Sequence, residues 1–154
     1  MNAPLATRVE LDALAQSPVL FDALIAEDGA GLTFQKTVTL DDPGVATQRV
    51  TQRWPHHLPG ELIIALTGQA AVIAVRRAGL IGDGWRGHGV RIRDARFPAP
   101  VVLGETFYTH VEIVRTRKLG QSLHVSFRFR MWKRADGREI ETFRSEQDAM
   151  FFPG

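Results

Sequence analysis

Between Leu62 and Val75 the chain carries no ionisable side chain, and Thr67 and Gln69 are the only polar ones in the run. A helix that is apolar on nearly every face has to be enclosed by something. The run falls short of the ~20 residues that a bilayer span needs, so protein rather than lipid is the expected wrapping. Its ends fit a helix. Pro59-Gly60 leads in, Glu61 sits in the first turn, and Arg76-Arg77 close the last turn, the charge order that the helix dipole favours. Two imidazoles, His56 and His57, stand just before the Pro-Gly step. The rest of the chain reads as the wrapper.

The wrapper is rich in strand signals. Leu32, Phe34, Val38 and Leu40 alternate with polar residues, as in a half-buried strand. Asp41-Asp42-Pro43-Gly44 is a turn signal, and Val45 to Trp54 reads as the second strand of a hairpin. After the helix, the glycines from Gly79 to Gly89 predict a loop. Val90 to Arg96 predicts a strand, and Glu105–Arg117 and Ser122–Arg134 predict two long ones joined at Leu119-Gly120-Gln121. Asp136-Gly137 marks a tight hairpin into a last strand from Glu139. Residues from about Val9 to Glu27 read as helical, with a second helix starting at Pro18. The expected architecture is α+β: an antiparallel sheet wrapped around one long central helix (31–154), with a short N-terminal helical extension (1–30).

Composition narrows the function classes. The 154 residues include 19 basic and 17 acidic ones, for a net charge of +2, which argues against a nucleic-acid partner despite Trp54, Trp85 and Trp132. There is no cysteine, which removes disulfides, thiol nucleophiles and thiolate metal sites together and fits a reducing cytoplasm. The five histidines have no metal-ligand spacing, and the glycines of 79–89 do not lead into a phosphate-binding helix. Neither metal nor cofactor is expected. No basic segment leads into an apolar run at the N-terminus, so no signal peptide or membrane span is expected either.

Two local patterns carry a family resemblance. Pro59-Gly60 followed by apolar residues and Gln69-Ala70-Ala71 resembles the start of the central helix in β-hydroxyacyl-ACP dehydratases. Asp94-Ala95-Arg96-Phe97-Pro98-Ala99-Pro100-Val101-Val102-Leu103-Gly104-Glu105 resembles that family's next strand. The element order is similar to the hotdog superfamily, in which a sheet wraps a central helix. The resemblance implies a homodimer or higher homo-oligomer acting on acyl thioesters of acyl carrier protein or CoA. It puts a catalytic histidine at His57, in His57-Leu58-Pro59-Gly60, and a carboxylate inside the helix where this chain has Ala65. Glu61 lies one turn earlier on the same face. A second resemblance, to mycobacterial-type long-chain fatty acyl-CoA thioesterases, rests on Glu61-Leu62-Ile63 after a histidine and on Trp132 with Asp136-Gly137. Those enzymes are expected to use asparagine and tyrosine side chains, whereas the only asparagine here is Asn2.

The candidate catalytic residues are therefore His57 and Glu61. Gly60 and Leu62 are candidates for an oxyanion site at the helix N-terminus, and His56, Thr67 and Gln69 for substrate contacts. With Ala65 at the acid position, thioester hydrolysis is the expected reaction. Dehydration of 3-hydroxyacyl thioesters, with Glu61 as a displaced acid, and a non-catalytic acyl-binding hotdog are the alternatives.

Overall fold

The computed structural model describes residues 2–154. The apolar run forms α2 (Gly60–Arg77), preceded by β1 (Ala6–Thr7), α1 (Arg8–Ala15), β2 (Ala23–Glu27) and β3 (Gly31–Thr37). It is followed by β4 (Arg86–Arg96), β5 (Thr106–Leu119), β6 (Ser122–Ala135) and β7 (Arg138–Phe152). The seven strands make one sheet in the order β1-β2-β3-β5-β6-β7-β4, and every pairing is antiparallel. This is the sheet-around-helix architecture that the sequence predicts, the hotdog fold.

Alternation along the long strands creates the core. Phe107 and Val111 of β5, Leu123, Val125, Phe127, Phe129 and Met131 of β6, and Phe143 and Phe151 of β7 are buried against Leu66, Ala70, Ile73 and other residues of α2. Tight turns fix the register. Asp136 and Gly137 both take positive φ (50° and 72°), which the right-handed twist of a two-residue hairpin requires. In β4 a glycine is required for another reason: a Cβ on Gly87 would stand 2.5 Å from the Phe151 ring.

Three expectations are corrected. The second helix predicted after Pro18 is strand β2, whose Leu24 pairs with Phe34 of β3. The run Ala23-Leu24-Ile25-Ala26-Glu27 suits helix or strand equally, and pairing with β3 decides it. The stretch 1–30 is thus only partly helical, and it adds β1 and β2 to the sheet. The hairpin partner expected at Val45–Trp54 is a turn-rich connection, and β3 pairs with β2 and β5 instead. The glycine loop stops at Trp85, since Gly87 and Gly89 lie within β4.

Enclosure of α2 is incomplete. The sheet covers one side, and α1 packs on another through Leu11 and Leu14. Glu61, Ala65 and Gly68 form a strip that stays exposed, beside the free edge of β4. No helix is long and apolar enough to cross a membrane among the described residues.

Candidate functional site

The N-terminus of α2 is assembled from three irregular segments. His56, His57 and Leu58 run antiparallel to Val101–Leu103: the Leu58 N–H donates to Val101 O at 2.8 Å and the Leu103 N–H to His56 O at 2.9 Å. Glu105 holds that second segment. Its carboxylate accepts the Val102 N–H at 2.8 Å and an ion pair from Lys133 at 2.8 Å. The third segment, Asp42–Gln48, is pinned by a buried ion pair. Lys36 Nζ lies 2.7 Å from Asp42 Oδ1, and the other carboxylate oxygen accepts the Thr39 N–H at 2.8 Å.

These segments fix both histidines. Gln48 clamps the His57 peptide from both sides, its Oε1 accepting the His57 N–H at 2.9 Å and its Nε2 donating to His57 O at 2.8 Å. His57 Nδ1 lies 3.1 Å from Pro55 O, and His56 Nδ1 lies 2.8 Å from Val45 O. A carbonyl can only accept, so in each bond Nδ1 carries the proton, and a neutral ring then keeps its lone pair on Nε2. That is the tautomer of a general base. The turn that receives His56 also meets Glu61, because a Cβ on Gly44 would lie 3.9 Å from Glu61 Oε1 and 3.3 Å from Pro59.

The helix start is open to a ligand. Pro59 is the N-cap and no side chain caps the first turn. The Leu62 and Ile63 N–H groups both turn back to Pro59 O at 3.1 Å. Leu62 is buried and its N–H is spent, so within the predicted oxyanion site the available donors are those of Gly60 and Glu61, which such a helix end leaves without intrahelical partners. The exposed Gly60 is bounded by Phe97, whose ring a Cβ would meet at 3.7 Å, and Phe97 packs on Phe143 with ring centroids 5.0 Å apart.

His56, His57, Gly60 and Glu61 follow one another along the chain at the entry to α2, the mouth of the candidate site, whereas the other candidates lie elsewhere. Thr67 is fully buried. Its hydroxyl bonds back to Ile64 O at 2.6 Å and pairs with Gln147, which also reaches Ser145. Gln69 accepts the Leu20 N–H at 2.9 Å and so ties down the segment between α1 and β2. Both side chains are committed to packing the helix. Gln48, Phe97 and Val45 are parts of the site that sequence reasoning missed. Phe97 lies within a quoted motif, but nothing local marks Gln48, whose partner is nine residues away.

Among the described residues no cluster of acidic and histidine side chains is arranged to hold a metal ion. No family model and no curated protein sequence matches the chain. Solved structures do. A thioesterase family protein from Silicibacter pomeroyi superposes with a TM-score of 0.63 at 18% identity, over 93% of this chain and 95% of that one. The dehydratase heterocomplex ApeI:P from Xenorhabdus doucetiae gives 0.62 at 20% identity, over 100% and 93%. A fluoroacetyl-CoA-specific thioesterase in complex with fluoroacetate and CoA gives 0.57 at 16% identity, over 78% and 88%. With one long helix in a wrapped antiparallel sheet and these structures as its neighbours, the chain is a hotdog-fold protein.

Proposed function

We propose that this protein hydrolyses acyl thioesters carried on CoA or acyl carrier protein. The observation that carries the reading is the uncapped start of α2, flanked by a histidine whose Nδ1 is tied to a carbonyl. Gly60 and Glu61 present backbone N–H groups at the positive end of an 18-residue helix, where a tetrahedral oxyanion gains most. Nε2 of His57 takes a proton from the attacking water, and the collapsing intermediate expels the thiolate. Glu61, on the exposed strip, orients the water or assists the proton transfer. Ala65 leaves the helix interior without an acid, so nothing inside it serves to drive off a hydroxyl.

A second reading is dehydration of 3-hydroxyacyl thioesters. It is favoured by the full-length similarity to a dehydratase heterocomplex and by Glu61, which shares the exposed strip with Ala65. In that case His57 removes the α-proton and Glu61 protonates the departing hydroxyl.

A second copy of the chain would cover the exposed strip. The free edge of β4 offers unpaired backbone groups, with Val90 and Ile92 about half exposed beside them. We place the protein as a homodimer or higher homo-oligomer in a reducing cytoplasm, in keeping with the absence of cysteine.

Saturated and 3-hydroxyacyl CoA thioesters separate the two reactions. Free thiol release from saturated substrates is expected, and enoyl absorbance from 3-hydroxy substrates without thiol release would decide for dehydration. His57→Ala is expected to lower kcat by about 10²–10⁴-fold, the usual worth of a general base. Loss of activity in Glu61→Gln but not in His57→Ala would remove His57 as the principal base.

A further inference from the structure

The outer face of the sheet carries two neighbouring rows of charge with opposite logic. In one row Arg93, Glu146, Arg128 and Glu112 stand across β4, β7, β6 and β5 with alternating sign. Arg128 lies 3.0 Å from Glu112 and 3.8 Å from Glu146, and Arg93 lies 3.9 Å from Glu146. The next row is Arg96, Arg144, Arg130 and His110. Three arginines stand abreast in register there, although like charges directly opposite on a sheet repel.

Acids from the flanking hairpin relieve only part of this row. Glu139 is 3.0 Å from Arg130, and Glu141 is 3.8 Å from Arg130 and 3.7 Å from Arg144. Arg96 has no ion pair among the described residues. Its presence in the row is imposed by a bulge: the register shifts between Arg93 and Arg96, with Asp94 at φ 50°. One extra residue returns Arg96 to the face that strict alternation would deny it. A cavity of about 450 Å³ opens over the row, lined by Arg96, Arg128, Arg130 and Arg144 and by the carboxylates of Asp94, Glu141 and Glu146, with Phe129 and Ser145 completing it. That volume is in the range of small-molecule sites.

We propose that this cavity binds the phosphorylated nucleotide end of a CoA thioester. Guanidinium forks match phosphate oxygens in pairs, and Asp94 and Glu141 are acceptors for nucleoside hydroxyl and amino groups. The row also stands behind the mouth. Arg96 and Arg144 point outward where their neighbours Phe97 and Phe143 pack together and wall Gly60. β4 ends at Arg96, so a flexible arm rounding that end joins the two faces. The proposal rests on the reading of the mouth as a thioester site and adds that the carrier is CoA.

The test titrates adenosine 3′,5′-bisphosphate, which has no thioester, by calorimetry at low salt. Wild type is compared with Arg96→Gln, with Arg96→Gln/Arg144→Gln, and with a control pair outside the row, Arg115→Gln/Arg117→Gln. Binding is expected to weaken at least about ten-fold in the double row variant, or about 1.4 kcal/mol, and to persist in the control. KM for acyl-CoA should rise in the row variants while KM for acyl-pantetheine, which lacks the nucleotide, stays unchanged. Relieved repulsion should keep both variants folded in a thermal melt. Absent binding to wild type, or equal binding to wild type and the row variants, overturns the site. So does a KM rise confined to acyl carrier protein substrates, which would assign the row to an acidic protein. Bisphosphate binding lost in the row variants of a protein that turns over no thioester supports the site while overturning the reaction.

Discussion

At the scale of single residues, Gln48 has the most leverage on the mouth, because one side chain holds both polar groups of the His57 peptide. Gln48→Leu leaves that N–H and C=O to find water. Two bonds worth about 0.5–1.5 kcal/mol each are lost, so chemical denaturation should show a deficit of about 1–3 kcal/mol. If the clamp also positions the imidazole, kcat falls more than KM rises. Glu27 offers a sharper pH test. The hydrogen bond from Arg77, 2.7 Å away, holds its carboxyl below the usual glutamate range, and Arg77 is raised in turn. A carboxyl lowered in the folded state adds stability above its unfolded pKa, and the gain is lost as pH falls through the folded value. Wild type should therefore melt above Glu27→Gln at pH 7, and the two curves should converge as pH drops below about 4. Among the candidate residues, those adjacent in the chain were legible in the sequence as neighbours: the Leu58-Pro59 step carries His57 to Gly60 and Glu61 at the start of α2. Gln48 was not, since its role depends on a fold-back that leaves no periodic trace.

At the scale of elements, the buried pair Lys36–Asp42 shows why the connection from 38 to 59 escaped prediction. Val45, Val50 and Trp54 suggest a strand, but the segment is shaped by an ion pair to β3 and by backbone bonds to Val101–Leu103. Lys36 faces the core on the side occupied by Phe34, and a buried lysine needs a countercharge. Lys36→Met strands the Asp42 carboxylate and should cost about 3–5 kcal/mol in an unfolding titration, whereas Lys36→Met/Asp42→Leu should recover most of it. A single variant as stable as wild type would show that water already reaches the pair. The long strands and α2 were legible because alternation and an uncharged run are local properties. β2 was hidden because its five residues suit either conformation until β3 lies beside them.

At the scale of the whole molecule, the open β4 edge and the exposed strip on α2 are the surfaces that the proposed association would cover. If a second copy covers them, the melting temperature should rise with protein concentration, and a melting curve independent of concentration over a hundred-fold range would speak against the dimer. The N-terminal arm raises a different question. α1 has eight residues, too few to hold as an isolated helix, and β1 has two. Leu11, Val19 and Phe21 in the core and the Gln69 amide under Leu20 keep the arm in place. A terminal unit with so little secondary structure of its own is expected to open before the sheet does. Amide hydrogens of 8–21 should exchange with deuterium sooner than those of β5–β7, and Gln69→Leu should hasten exchange in the arm alone. A side chain at the centre of the buried helix would then set how often one flank of that helix meets water.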